Sequence, residues 1–227
     1  MQNVAVIIPW RDGCPERQKA LRWVMAKYLT QFPDWPIVLG SCDPDQEFSR
    51  AEAILRGVEA CDADTLIISD ADVWCDPTSA LTRVGEHGWT VPHRDVHRLS
   101  AESTDLVLSG SDWEGLPLSQ DNRRDRRPYK GNETGTLLII RRDVFFDVPP
   151  DQRFRGWGSE DEAWGHALQT LVGPCWRGIS PLVHLWHPPQ ARISRKIGNR
   201  DSFALLARYT KAAGDRTMMR RLVEESR

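Results

Sequence analysis

No stretch of this 227-residue sequence approaches the roughly 18 consecutive apolar residues that a membrane-spanning helix needs, so no span is expected. Charge of one sign is missing too. Lys and Arg total 30 against 32 Asp and Glu, a formal net charge of −2, so there is no overall positive field to recruit nucleic acid or an anionic membrane. Cysteines are few and odd in number. The five, Cys14, Cys42, Cys61, Cys75 and Cys175, include no CxxC pair, which speaks against zinc or dithiol redox chemistry and fits reduced thiols in a cytosol. Met1-Gln2-Asn3 leads straight into an apolar run without a basic stretch, so no secretory signal is expected. The expectation is a soluble, untargeted, cytoplasmic protein. There is no internal repeat, and the length suits one sizeable α/β domain.

What is present reads as alternating strands and helices. Val4 to Pro9 is a continuous apolar run closed by proline, the pattern of a strand buried on both faces of a largely parallel sheet. Leu21, Val24, Met25, Tyr28, Leu29 and Phe32 recur at helical spacing and predict one apolar helix face. A second strand is expected over Pro36 to Gly40, a helix marked by Phe48, Ala51, Ile54, Leu55 and Val58, and a third strand over Thr65 to Ser69. This βαβαβ order predicts an α/β, Rossmann-like fold with a mostly parallel central sheet flanked by helices. Such sheets bind ligands beyond the carboxyl ends of their strands, where Asp70-Ala71-Asp72 falls.

Residues 77–130 are less regular and end in a mixed-charge run, Asp121 to Lys130, with four arginines; flexible loops are expected there. Regularity returns with a strand over Thr136 to Arg141, the segment Arg155 to Asp161, and a helix carrying Trp164, Ala167, Leu168 and Leu171. Short C-terminal helices around Phe203 to Tyr209 and Met218 to Val223 should pack on the core as a small helical extension.

Three patterns carry chemistry. Asp70 and Asp72, one residue apart at a strand end, can offer one oxygen to a ribose hydroxyl and another to a divalent cation bridging a diphosphate. An isolated Asp-Ala-Asp suits a solvated turn equally well; its place after the third strand favours the functional reading. His184 and His187 stand three apart before Pro188-Pro189, and a neutral imidazole is a good ligand for a borderline cation such as manganese; either alone also suits a hydrogen-bonded loop histidine. Gly156-Trp157-Gly158 precedes Ser159-Glu160-Asp161, placing an aromatic ring able to stack on a sugar between two flexible residues and beside a candidate base. Carboxylates in a helix's first turn also satisfy the helix dipole, which is the plainer explanation of Glu160 and Asp161.

These motifs together resemble the β-1,4-galactosyltransferases and related GT-A enzymes, including bacterial chondroitin polymerases and polypeptide N-acetylgalactosaminyltransferases. IIPWRD (Ile7 to Asp12) is similar to the family's uridine-side strand end, and FSRAEAILRGVEA (Phe48 to Ala60) to its Phe-Asn-Arg-Ala helix. SDADVW (Ser69 to Trp74) resembles the Asp-x-Asp metal motif, and FRGWGSEDEAWGHAL (Phe154 to Leu168) the Gly-Trp-Gly-Gly-Glu-Asp signature. The last two, in this order and at this distance, are the specific part.

The resemblance implies a single GT-A domain over residues 1–227, with a nucleotide-binding half at 1–76, an acceptor and metal half at 77–190, and C-terminal helices at 191–227. It implies that Pro9, Arg11, Asp12, Arg50, Asp70, Trp157 and Gly158 bind the donor. Asp72 and His187 would hold Mn2+ (or Mg2+), with His184 where the galactosyltransferases carry a methionine that sets metal preference. Asp161 would be the catalytic base and Glu160 would position the acceptor. The implied activity is inverting transfer of a hexose or N-acetylhexosamine from a UDP-sugar to a hydroxyl of a carbohydrate, protein or other acceptor. The chain carries Ser159 where the family has glycine, and it is expected to lack the membrane anchor and stem of the Golgi enzymes. Two further readings stand beside this one: a sugar-phosphate nucleotidyltransferase, which would release pyrophosphate, and a catalytically silent carbohydrate-binding module.

Overall fold

The computed structural model describes residues 3–117, 122–126, 134–190, 193–194 and 197–227. Its first part is the expected βαβαβ unit: β1 (Val4–Pro9), α1 (Pro15–Gln31), β2 (Ile37–Gly40), α2 (Arg50–Glu59) and β3 (Thr65–Ser69). Then come β4 (Val73–Trp74), the short helices α3 (Thr78–Leu81) and α4 (Val84–His87), β5 (Trp89–Arg98), α5 (Ala101–Leu108) and β6 (Arg123–Arg126). The chain continues through β7 (Leu137–Arg141), α6 (Arg142–Asp147), α7 (Glu160–Leu171), β8 (Trp176–His184), α8 (Arg200–Ala212) and α9 (Arg216–Glu224).

These strands form one sheet in the order β2-β1-β3-β7-β5-β8-β4, with β6 paired to β5. β1 pairs parallel with β2 and β3, and β5 parallel with β8. β7 is antiparallel to both β3 and β5, so β5 points the same way as β3. β1, β2, β3, β5 and β8 therefore run in one direction and end at one edge, and β7 begins there. Both faces are covered, which is why β1 is buried at every position. Ala5, Ile7, Leu66, Ile68, Leu138 and Ile140 enter the core under α2, α7, α8 and α9. Val4, Val6, Ile8, Ile67, Leu137 and Ile139 enter the other, under α1 and α5. Each such side chain contributes about 1.5–3 kcal/mol relative to exposure.

Two expectations are corrected here. Residues 77–130 are not chiefly loop: they contain β5, one of the sheet's inner strands, together with α3, α4, α5 and β6. Of the mixed-charge run, residues 123–126 pair with β5, while 121 and 127–130 lie outside the described residues. β5 and β8 escaped recognition because Pro92, Gly178 and Pro181 interrupt them. The β5–β8 ladder tolerates these by shifting register between Val91 and His93 and again between His93 and Asp95. Gly178 is needed there, since a Cβ would stand 2.3 Å from the Pro92 carbonyl oxygen. The second correction is narrower. α1 buries Ala20, Leu21, Val24 and Tyr28, a thinner stripe than the sequence suggests, and leaves Leu29 53% exposed.

Candidate active site

The ends of the codirectional strands put sequence-distant groups on one rim. After β3 the chain turns through Asp70-Ala71-Asp72 into β4, whose Val73 pairs with His184 of β8. The Leu185 N–H donates to the Asp72 carbonyl at 2.8 Å, locking the acidic turn beside the histidines. Asp72 is only 2% exposed. His187 Nε2 stands 3.4 Å from its Oδ2 and His184 Nε2 4.0 Å from its Oδ1. The Nδ1 atoms lie 2.9 Å from the Leu185 carbonyl (His184) and 2.8 Å from the Pro188 carbonyl (His187); donation there leaves both Nε2 lone pairs facing Asp72.

Burial lowers the His184 pKa, with Asp72 pulling the other way. Burial would raise the Asp72 pKa, but the charges around it, His184 and Arg17 foremost, outweigh this and hold it below the usual range. One carboxylate and two imidazoles, all within 4.8 Å of one another, fit a divalent cation of borderline softness, manganese better than magnesium, which prefers an all-oxygen shell.

A second cluster centres on Arg50, the first residue of α2. Its Nε donates to Asp70 Oδ1 at 2.8 Å. Arg50 also feels the charges of Glu160 and Asp161, and together with Asp70 they hold its guanidinium firmly protonated against the penalty of burial. The loop before α7 reaches this place through contacts with α2 and the segment before it. Arg155 Nη1 donates to the buried Glu52 at 2.7 Å, the Gly156 N–H to the Phe48 carbonyl at 2.8 Å, and Asn199 Nδ2 to the Arg155 carbonyl at 2.6 Å. The turn into α7 is left-handed at Gly156, Gly158 and Ser159, with φ of 74°, 91° and 77°. Ser159, the N-cap of α7, thus adopts a conformation that favours glycine, at a cost of roughly 1–2 kcal/mol.

Burial, then the neighbouring Asp161 charge, raises the Glu160 pKa to about 7 against the pull of Arg50. Burial raises that of Asp161 as well, opposed by Arg50 and by the Glu162 N–H, which donates to Oδ1 at 2.8 Å. Thr134 Oγ1 donates to the Asp161 carbonyl.

All of the sequence-nominated residues, Pro9, Arg11, Asp12, Arg50, Asp70, Asp72, Trp157, Gly158, Glu160, Asp161, His184 and His187, line one cleft of about 1450 Å³. Within it Arg11 lies over the Phe48 ring and donates to the Asp43 carbonyl at 2.8 Å, while Asp12 accepts from Trp10 Nε1 at 3.0 Å. Trp157 is 38% exposed on the wall. Sequence reading missed Arg17, Arg98 and the face of α8 bearing Phe203, Ala207 and Thr210, which also line the cleft. Arg17 alone left a local signal. It is a cation in the first turn of α1, where the helix dipole disfavours one, and its Nε donates to Asp72 Oδ2 at 3.1 Å.

The architecture is matched among solved structures. The catalytic domain of Drosophila β1,4-galactosyltransferase 7, in complex with xylobiose, superposes with a TM-score of 0.54 at 16% identity, covering 91% of this chain and 80% of that one. The fold is that of the GT-A glycosyltransferases. S. aureus TarS 1–349 gives a TM-score of 0.51 at 10% identity over 99% of this chain and 70% of that one. No family model and no curated protein matches the sequence. At such identities the likeness is one of fold. It puts the cleft at the sheet edge where open α/β folds bind ligands. Among the described residues no helix is long and apolar enough to cross a membrane.

Proposed function

We propose that this chain is a metal-dependent, inverting glycosyltransferase that moves a hexose or N-acetylhexosamine from a UDP-sugar to an acceptor hydroxyl. The observation that carries the reading is the convergence on one cleft of the Asp72, His184 and His187 donor set with the Arg50, Glu160 and Asp161 cluster. In this reading residues 1–76 supply the nucleotide side, 77–190 the acceptor and metal side, and 191–227 the helices that close the wall. The GT-A fold supports a nucleotide-sugar donor, and the xylobiose-bound neighbour supports a carbohydrate acceptor, with protein or another hydroxyl compound as the wider class. None of the five cysteines is in a disulfide, in keeping with a reducing cytoplasm.

Pro9, Arg11 and Asp12 line the nucleoside end, Asp70 takes a ribose hydroxyl while Arg50 orients it, and Trp157 stacks on the transferred sugar with Gly158 giving the loop its turn. When bound by Asp72, His187 and His184, Mn2+ (or Mg2+) would neutralise the charge developing on the leaving diphosphate. Asp161 accepts the proton of the acceptor hydroxyl as that oxygen attacks the anomeric carbon opposite the leaving UDP. Glu160, holding its proton up to about pH 7, hydrogen-bonds the acceptor and places it. One displacement inverts the anomeric configuration.

The test is Asp161→Asn, assayed against a panel of UDP-sugars. Transfer should fall by about 100- to 10,000-fold, the usual worth of a general base, while calorimetry finds UDP and Mn2+ binding within a few-fold of wild type. Turnover like wild type, or a retained anomer by NMR, overturns the mechanism; pyrophosphate among the products would indicate nucleotidyl transfer instead.

A further inference from the structure

We propose that Arg17 couples cation binding to donor binding, so that the cleft takes a divalent cation weakly alone and tightly together with a nucleoside diphosphate. This rests on the reading of the cleft given above. Arg17 leaves the first turn of α1, its side chain is about three-quarters buried, and its Nε donates to Asp72 Oδ2 at 3.1 Å. That is the oxygen which His187 Nε2 approaches at 3.4 Å. Arg17 therefore occupies a lone-pair direction of the one carboxylate among the three candidate ligands and sets a full positive charge beside the place a cation would take. The two imidazoles are neutral as ligands, so Asp72 and Arg17 together bring no net charge to the pocket. Asp70, the nearby acid, is already paired with Arg50. Arg98, which also lines the cleft, is paired with Asp125 at 2.8 Å.

A dication held by this set has its own charge and that of Arg17 side by side. Both are compensated when the donor's diphosphate lies between them, with Arg17 turning from Asp72 to a phosphate oxygen in a charge-assisted hydrogen bond. Arg17 thus opposes the cation alone and favours the cation with diphosphate. It is a positioning residue: it acts on the cation through Asp72 and on the leaving group by charge.

The test measures equilibrium binding in Arg17→Met and Arg17→Lys. Mn2+ binding is followed by the EPR signal of the free ion, with and without UDP, and UDP binding by calorimetry at saturating Mn2+. Wild type should bind Mn2+ at least about tenfold tighter with UDP present, within the usual range for coupling between two ligands. Arg17→Met should bind Mn2+ alone about tenfold tighter than wild type and UDP with Mn2+ about tenfold weaker. Arg17→Lys, which keeps the charge, should keep the coupling within about threefold. A purely structural role would weaken both affinities together. Parallel loss in Arg17→Met, no change in either affinity, or a lysine variant that behaves like the methionine one overturns the proposal. If wild type binds no Mn2+ with or without UDP, the cleft reading falls as well; coupling in wild type that Arg17→Met leaves intact sinks the role of Arg17 alone.

Discussion

Glu160→Gln is expected to stabilise the fold above neutral pH and to leave it unchanged in acid. Glu160 opens α7 with its Oε2 buried and without a hydrogen-bond partner among the described residues. Burial and the adjacent Asp161 raise its pKa from 4.5 to about 7. The folded state therefore holds this proton more tightly than the unfolded chain does. The associated stability is fully present below pH 4.5 and is lost as pH rises through about 7. The interval from 4.5 to about 7 corresponds to roughly 3 kcal/mol. Water in the cleft screens part of it, so a gain of about 1–3 kcal/mol is expected for the glutamine at pH 8 and none at pH 4. For a chain of this length that is roughly 3–10 °C in Tm. Calorimetric melts of both proteins at the two pH values are the assay. An equal gain at pH 4, or a loss at pH 8, would refute the argument that an uncompensated carboxylate is held at the mouth of α7. Catalysis should move the other way, because the destabilising group is the one assigned to acceptor positioning.

Three further outcomes follow from the geometry. His187→Ala should weaken Mn2+ activation more than His184→Ala, since its Nε2 lies nearer Asp72, 3.4 Å against 4.0 Å; equal, negligible effects in a Mn2+ titration would place both outside the coordination shell. UDP affinity by calorimetry should drop in excess EDTA and become EDTA-insensitive in Asp72→Ala, because the cation that Asp72 would hold is what offsets the diphosphate charge; unchanged affinity in EDTA refutes the metal assignment. Ser159→Gly should stay within about 1 kcal/mol of wild type in urea melts, relief of the left-handed strain offsetting the added unfolded-state entropy, whereas Ser159→Val should lose about 1–3 kcal/mol; equal stability of the two would deny the strain.

The bounds of β1 and β3 were legible because a strand covered on both faces must be apolar throughout, and Val4 to Pro9 and Thr65 to Ser69 are such runs. The helices α2 and α7 declared themselves by an apolar stripe of helical period, and the site residues by short patterns, Asp70-Ala71-Asp72 and Trp157-Gly158-Ser159-Glu160-Asp161. β5 and β8 were illegible because their prolines, glycine and charges contradict strand propensity, and only the register shifts of a ladder with long-range partners accommodate them. The same holds for the site. That Asp72 lies against His184 and His187 depends on β4 pairing with β8, and that Glu160 and Asp161 come to Arg50 depends on Arg155 bonding Glu52 and Gly156 bonding Phe48. Arg17 belongs to the site only because α1 packs where its first turn reaches Asp72. Local patterns record what each segment buries or caps within a few residues. Which segments then share a charge, a ligand or a proton is set by sheet order and packing between residues tens to more than a hundred apart, and no single stretch of sequence contains both partners.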